Sequence, residues 1–277
     1  MDLGEAIRES FIKPMTEADR EPGENERRGE DGLIYCTVCG TAKQSNIPQF
    51  GIVRSACKCV ENARKAEEEK KRREQIEQRR RLVFGRKIKR IDYTFENDDG
   101  GDPEATRKAR EYCDNFEEYR KSGQGLTLCS PTTGNGKTFL ACCIVNELIS
   151  RGYRVKVTEF VTLKDELTRC DKGEYMDRLC SYDLVMIDDL GAENVTSYTN
   201  ETECFVINEL VESGVPLIVT TNYTAAELTG AKDIGRRRIF DRINGVCPVV
   251  QLRRDQSRRL ERCRQITADL NRKVKGE

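Results

Sequence analysis

The 277-residue chain contains no histidine and no tryptophan. Without an imidazole it cannot assemble a Ser–His or Cys–His nucleophile, an HExxH zinc site or a histidine proton shuttle. Any metal must therefore be held by cysteine or carboxylate. No run of about 18 apolar residues occurs, so no membrane span is expected. The opening MDLGEAIRES has neither the basic nor the apolar region of a secretory signal. Thirteen cysteines without an export signal then read as thiols of a cytoplasmic protein, available to metal, rather than as disulfides.

Charged residues make up 35% of the chain and hydrophobic residues 37%, which predicts a soluble protein with stretches outside any core. The 48 basic and 48 acidic residues cancel, but their layout is uneven. Segments 61–90 and 251–277 are net basic, and they flank a net acidic middle. A polyanionic partner is therefore compatible with zero net charge.

Leu3, Ile7, Phe11 and Met15 recur every four residues, the stripe of a short helix that Pro14 disturbs. Such a helix is marginal alone; a partner surface completes it or the terminus frays. Residues 16–32 are polar and punctuated by Gly and Pro, so 1–32 reads as a short helix and a flexible linker. Residues 61–81 are almost pure charge, with Glu67–Lys71, Glu68–Arg72 and Glu69–Arg73 at i,i+4. They lack a heptad apolar seam, so 61–90 reads as a solvated helical linker, nucleic-acid contact being the other use of such a stretch. From Ile91 onward strand-like runs alternate with helix-like ones: LTLCS (126–130), YRVKVTEF (153–160), DLVMIDD (183–189), PLIVTTN (216–222) and VCPVVQL (246–252). Five strands separated by helices predict an α/β fold with a parallel sheet covered on both faces.

SPTTGNGKTFL (130–140) follows the first strand and opens an apolar helix, the context that a phosphate loop requires. Thr133, Gly134, Asn135 and Gly136 would let backbone N–H groups close around phosphate oxygens at the helix N-terminus, with Phe139 alongside. Lys137 would reach the β- and γ-phosphates, and the Thr138 hydroxyl would ligate Mg²⁺. Pro131 stands where such loops carry their first glycine, which suits a φ near −65°. Asp188 and Asp189 end the third strand, at the sheet edge where ligands sit in α/β folds. Asp188 fits the magnesium-side carboxylate. Asp189 fits the group that orients the attacking water, with Glu193 as the alternative base. Glutamate is more usual there, and a carboxylate one methylene shorter predicts slow turnover. Asn222 ends the fourth strand, where an amide would touch the γ-phosphate or the water, or simply start a loop. Arginines cluster at 235–243 and 253–259, either on solvated helices or as transition-state cations supplied by a neighbouring subunit.

Cys36, Cys39, Cys57 and Cys59 form a CxxC and a CxC pair in a polar segment that cannot build a core alone. Four thiolates suit a closed, structural zinc site, with iron–sulfur ligation as the alternative, and metal would supply the folding energy of a module at 33–60. Gly40 suits the tight turn after the first pair. The other nine cysteines lie on apolar runs and read as small core residues.

TFEND (94–98), the phosphate loop, LVMIDDLGAE (184–193), VTTN (219–222), RIFDRI (238–243) and QSRR (256–259) occur in an order that resembles AAA+ ATPases of the DnaC/DnaI helicase-loader and IstB group. The similarity covers residues 91–262 and leaves 263–277 as a basic tail. It implies a P-loop AAA+ domain with a five-stranded parallel sheet, preceded by the zinc module and the charged linker. The cysteine module resembles the loader branch. The resemblance makes Lys137 and Thr138 the Walker A pair, Asp188 the Walker B carboxylate and Asn222 sensor 1. Arg242 falls at the arginine finger and Arg259 at sensor 2. Tyr93 and Phe95 would lie near the adenine, and Val161–Lys172 would form a segment facing the pore of an oligomer, with single-stranded DNA contacts. The implied protein is an ATPase, slow and stimulated by assembly or DNA, that loads a replicative hexameric helicase onto single-stranded DNA and forms a homo-oligomer when ATP-bound. An IstB-like transposition helper and a nucleotide-binding adaptor with little hydrolysis are the alternatives.

Overall fold

The computed structural model describes residues 21–48, 51–191, 197–231, 233–254 and 257–275, so the apolar stripe of residues 3–15 and Glu193 lie outside the described residues. The chain divides into two compact units, Met1–Gln75 and Ile76–Glu277. In the first, strand β1 (Glu26–Arg28) pairs antiparallel with β2 (Ile34–Cys36), and β3 (Gln44–Ile47) pairs with β4 (Gly51–Arg54). Part of the segment expected to be linker is thus a strand. The gain comes from a partner distant in sequence, since Lys43 ion-pairs with Glu26, and from a local turn in which the Asp31 carboxylate accepts from the Leu33 N–H and the Tyr35 hydroxyl.

Helix α1 (Lys58–Phe84) contains the unit boundary and is exposed along most of its length. Glu67–Lys71 and Glu69–Arg73 pair as the spacing predicts, whereas Glu68 pairs backward with Arg64. Each such exposed pair contributes only about 0.3–0.5 kcal/mol. The helix end is fixed within the second unit, where Arg80 donates to the Asn146 carbonyl and to Ser150 Oγ.

The second unit is built on five parallel strands: β5 (Leu126–Cys129), β6 (Val155–Glu159), β7 (Leu184–Leu190), β8 (Leu217–Thr221) and β9 (Val249–Gln251), in the order β6-β7-β8-β5-β9. All five strand-like runs are therefore strands. The two-residue period of β7 shows why both faces must be covered. Leu184 and Met186 join one core with helix α2 (Pro103–Asp114) and with α4 (Lys137–Ser150). Between those two helices lies a short one, α3 (Phe116–Ser122). Val185 and Ile187 join the opposite core with α5 (Phe160–Arg169), α6 (Lys172–Cys180), α7 (Ser197–Glu212) and α9 (Ile234–Val246), which follows the short α8 (Ala225–Thr229). An uninterrupted apolar strand buried on both sides is the signature of such a sheet.

Two expectations change here. Phe160 opens α5 rather than ending β6, and most of Val161–Lys172 is helix. Phe160, Leu163 and Leu167 fall on one helical face and are buried, and that burial outweighs the strand-like look of the preceding residues. At the other end, residues 263–275 continue helix α10 (Arg258–Lys275) and are not a separate tail.

Candidate nucleotide-binding site

Strand β5 runs into a loop whose conformation depends on two glycines, Gly134 at φ +77° and Gly136 at φ +111°. The loop folds around its own lysine. Lys137 Nζ donates to the carbonyls of Ser130 (3.0 Å) and Thr132 (2.9 Å) and to Asn135 Oδ1 (3.3 Å), and the residue is only 5% exposed. Burial lowers the Lys137 pKa, opposed by the negative charge of Asp189. Helix α4 begins here, so its first N–H groups have no intrahelical acceptor and face the loop's concavity.

Strand β8 separates β5 from β7 and brings a second group of residues to the same edge. Asp188 is 1% exposed. Its Oδ1 accepts from Thr138 Oγ1 at 3.0 Å and from Thr220 Oγ1 at 2.7 Å, and its Oδ2 accepts from Arg90 Nη2 at 2.6 Å. Asp189 adopts φ +56° where the register of β7 on β8 shifts, between Ile187 and Leu190. This bulge removes the Asp189 N–H from the ladder, and Thr220 Oγ1 accepts it at 2.8 Å. Burial raises the Asp189 pKa, reinforced by Asp188 and Glu159 and opposed by Lys137.

A cavity of about 410 Å³ opens above these groups. Thr133, Gly134, Asn135, Gly136, Lys137, Thr138 and Phe139 line it from the loop and α4, and Asp189 and Asn222 line it from the strand ends. Arg259 lines it from α10, joined by Arg258 and Arg262, which the sequence reading did not single out. Helical spacing is the signal that groups Arg262 with Arg258 and Arg259. The start of α10 is held on the loop: the Arg258 N–H donates to the Gly134 carbonyl at 2.8 Å, and the Arg258 guanidinium lies 3.9 Å from the Phe139 ring centroid. Asp98 and Asp99 accept from the same guanidinium at 2.6 and 2.7 Å. Tyr93 lines the cavity, its ring 5.3 Å from that of Phe139. Phe95 does not, because it is buried in the core beneath Arg110. Arg242 is also absent from this lining; it is half exposed on α9 and ion-pairs with Glu212 at 3.5 Å.

The residues present fit an anionic nucleotide with its cation. Asn135 Nδ2 is a buried donor with no partner among the described residues, and the hydroxyl–carboxylate pair Thr138–Asp188 is the oxygen set a hard divalent cation takes.

In the first unit the Cys36, Cys39, Cys57 and Cys59 sulfurs lie within 4.8 Å of one another. Four sulfurs around one ion at about 2.3 Å would be spaced comparably, so the donor set fits a tetrahedral metal. All four are free thiols, and Gly40 turns at φ +70° after the first pair. The Thr41 hydroxyl and N–H lower the Cys39 pKa to about 5, while the hydrogen bond with Cys39 and burial push Cys59 up to about 12. Sulfurs so close compete for protons, and a cation is what lets all four be thiolates together.

A glycine loop between a parallel strand and a helix, with lysine and threonine opening that helix opposite a strand-end aspartate, defines a P-loop nucleotide-binding protein. Residues 55–265 match the family described as IstB-like ATP binding protein. The chain belongs to that family. It is 30% identical over 141 residues to the replicative helicase loader DnaI of Bacillus subtilis, covering 49% of this chain and 45% of that protein. To the replicative helicase loader DnaC of Escherichia coli K12 it is 30% identical over 153 residues, covering 52% and 58%. The chain thus spans about half the length of the curated relatives it matches. A crystal structure of DnaI aligns with TM-score 0.49 at 23% identity, over 59% of this chain and 93% of that one.

Proposed function

We propose that this chain is an ATP-hydrolysing loader that places a replicative DNA helicase on single-stranded DNA. The observation that carries the reading is the meeting of Lys137, Thr138 and Asp188 at one sheet edge, beside a cavity lined by Asp189, Asn222 and Arg259. The loop amides from Gly134 to Thr138 and the Lys137 ammonium would bind the phosphates, and Tyr93 and Phe139 would offer the base an apolar surface. Magnesium, when bound, would offset phosphate charge, held by Thr138 and Asp188. Asp189 or Glu193 would orient the attacking water, Asn222 would hold that water or the γ-phosphate, and Arg259 would steady the phosphates from α10. Arg242, exposed on α9, is suited to act on a neighbouring protomer in an ATP-bound homo-oligomer.

The names of both curated relatives support the helicase as partner. The Cys36/Cys39/Cys57/Cys59 module, read as a zinc site, would dock on it, the 61–90 linker would give reach, and the chain would work in the cytoplasm. The family description favours a second reading, an IstB-like transposition helper that shares the ATP site and differs in its partner. A pull-down with the full chain as bait separates them. A hexameric replicative helicase retained with ATP supports the first reading, and a transposase in its place overturns it.

A further inference from the structure

Arg90 belongs to no motif, yet it makes the closest polar contact to the acid at the centre of the site. It lies in a 3₁₀ turn (Ile88–Asp92) and its side chain is 14% exposed. Its backbone is pinned, because Asn146 Nδ2 donates to the carbonyls of Arg90 and Tyr93 at 2.9 and 2.8 Å. Its Nη2 donates to Asp188 Oδ2 at 2.6 Å, its Nη1 is buried with no partner among the described residues, and the residue lines the nucleotide cavity.

The two oxygens of Asp188 are used differently. Oδ1 accepts from the Thr138 and Thr220 hydroxyls, and Oδ2 faces the guanidinium. A cation drawn to this carboxylate therefore finds Oδ2 already occupied by a positive charge, in a buried site where like charges repel strongly. A second acceptor lies close by. Glu159 pairs with Asp188 in the β6–β7 register, and its carboxylate is 3.9 Å from Arg90 and ion-paired to Lys87.

We propose that Arg90 is a positioning residue that acts through Asp188: its guanidinium neutralises the carboxylate when no metal is held and sets how much magnesium the site needs, because it would have to turn from Oδ2 toward Glu159 for Asp188 to hold magnesium. This rests on the nucleotide-site reading above. The test is the affinity of the full chain for a non-hydrolysable ATP analogue, measured by calorimetry at graded magnesium concentrations and in excess chelator. Arg90→Gln keeps an N–H for Oδ2 and removes the charge. Its half-saturating magnesium is expected to fall on the order of tenfold. Glu159→Gln weakens the retreat position and leaves the buried Arg90–Asp188 pair intact, so it is the variant that folds if Arg90→Gln does not; its magnesium requirement is expected to rise severalfold. An unchanged requirement in either variant overturns the proposal. So does an equal loss of analogue affinity by Arg90→Gln at every magnesium concentration, which would make Arg90 a phosphate ligand. Failure of the wild-type chain to take up analogue at any magnesium concentration would remove the nucleotide reading itself, an outcome distinct from normal wild-type uptake with an unresponsive variant.

Discussion

A left-handed backbone at a residue other than glycine costs about 1–2 kcal/mol, less for Asp and Asn, whose short side chains bond locally. Asp189 sits in that conformation at φ +56°. This gives a physical reason for aspartate where glutamate is more usual: the bulge turns the carboxylate toward the cavity, and the short side chain tolerates it. Thr220 maintains the bulge, since its hydroxyl donates to Asp188 and accepts from the Asp189 N–H. Replacing it by Val leaves an orphaned N–H and a carboxylate short of one donor, each costing about 1–3 kcal/mol. We expect Thr220→Val to lower the kcat for ATP on the order of tenfold or more with little change in nucleotide affinity, and Thr220→Ser to restore it. Steady-state turnover beside equilibrium binding checks this, and equal activity in Val and Ser variants would contradict it. Asp189→Asn, equally at ease at positive φ, is expected to keep the wild-type Tm and lose turnover by ~10²-fold.

Among the elements, the phosphate loop and the start of α10 form one unit, joined by the Arg258–Gly134 backbone bond and by the acidic Asp98–Asp99 pair. A Cβ on Gly134 would clash with Ser257 Oγ and would face a φ of +77°. Gly134→Ala is therefore expected to weaken ATP-analogue binding at least ~10-fold and to lower the Tm by a few degrees, about 2–4 °C per kcal/mol in a unit of this size. Calorimetry and thermal unfolding read both, and unchanged values would mean the contact carries no strain. The loop was legible in the sequence because glycines, lysine and threonine stand at fixed spacing between an apolar strand and an apolar helix. The five strands were legible because both-face burial leaves continuous apolar runs such as Leu184–Ile187. Other features were not. Strand order, which carries Thr220 and Asn222 between the loop and Asp188, follows from pairing across ninety residues. Helix Phe160–Arg169 begins inside a strand-like run because burial of Leu163 and Leu167 decides it. Arg90 meets Asp188 across 98 positions, a separation no local pattern encodes. Strand Glu26–Arg28 lies in a polar stretch whose partners come later in the chain.

For the whole molecule, the proposed metal-dependent folding falls in one unit and the proposed nucleotide chemistry in the other. Elemental analysis of the purified full chain is expected to find about one zinc per chain, and Cys36→Ser or a chelator is expected to unfold the cysteine module while the P-loop unit keeps its ATP affinity. Iron in place of zinc would correct the metal; a folded, metal-free module would refute the site. Arg242→Ala is expected to bind ATP normally and to lose turnover by ~10³-fold or more, because the residue would serve a neighbour's nucleotide. Full activity in that variant would refute the assignment. The central claim, that the loop from Gly134 to Thr138 holds a triphosphate while Asp188 holds its magnesium, is tested most directly by titrating the full chain with ATP and magnesium in a calorimeter. Saturable uptake near one equivalent is expected of the wild type, with none by Lys137→Ala and a loss of the magnesium dependence in Asp188→Asn. A wild-type chain that takes up no nucleotide, or a Lys137→Ala chain that binds it as well, would contradict it.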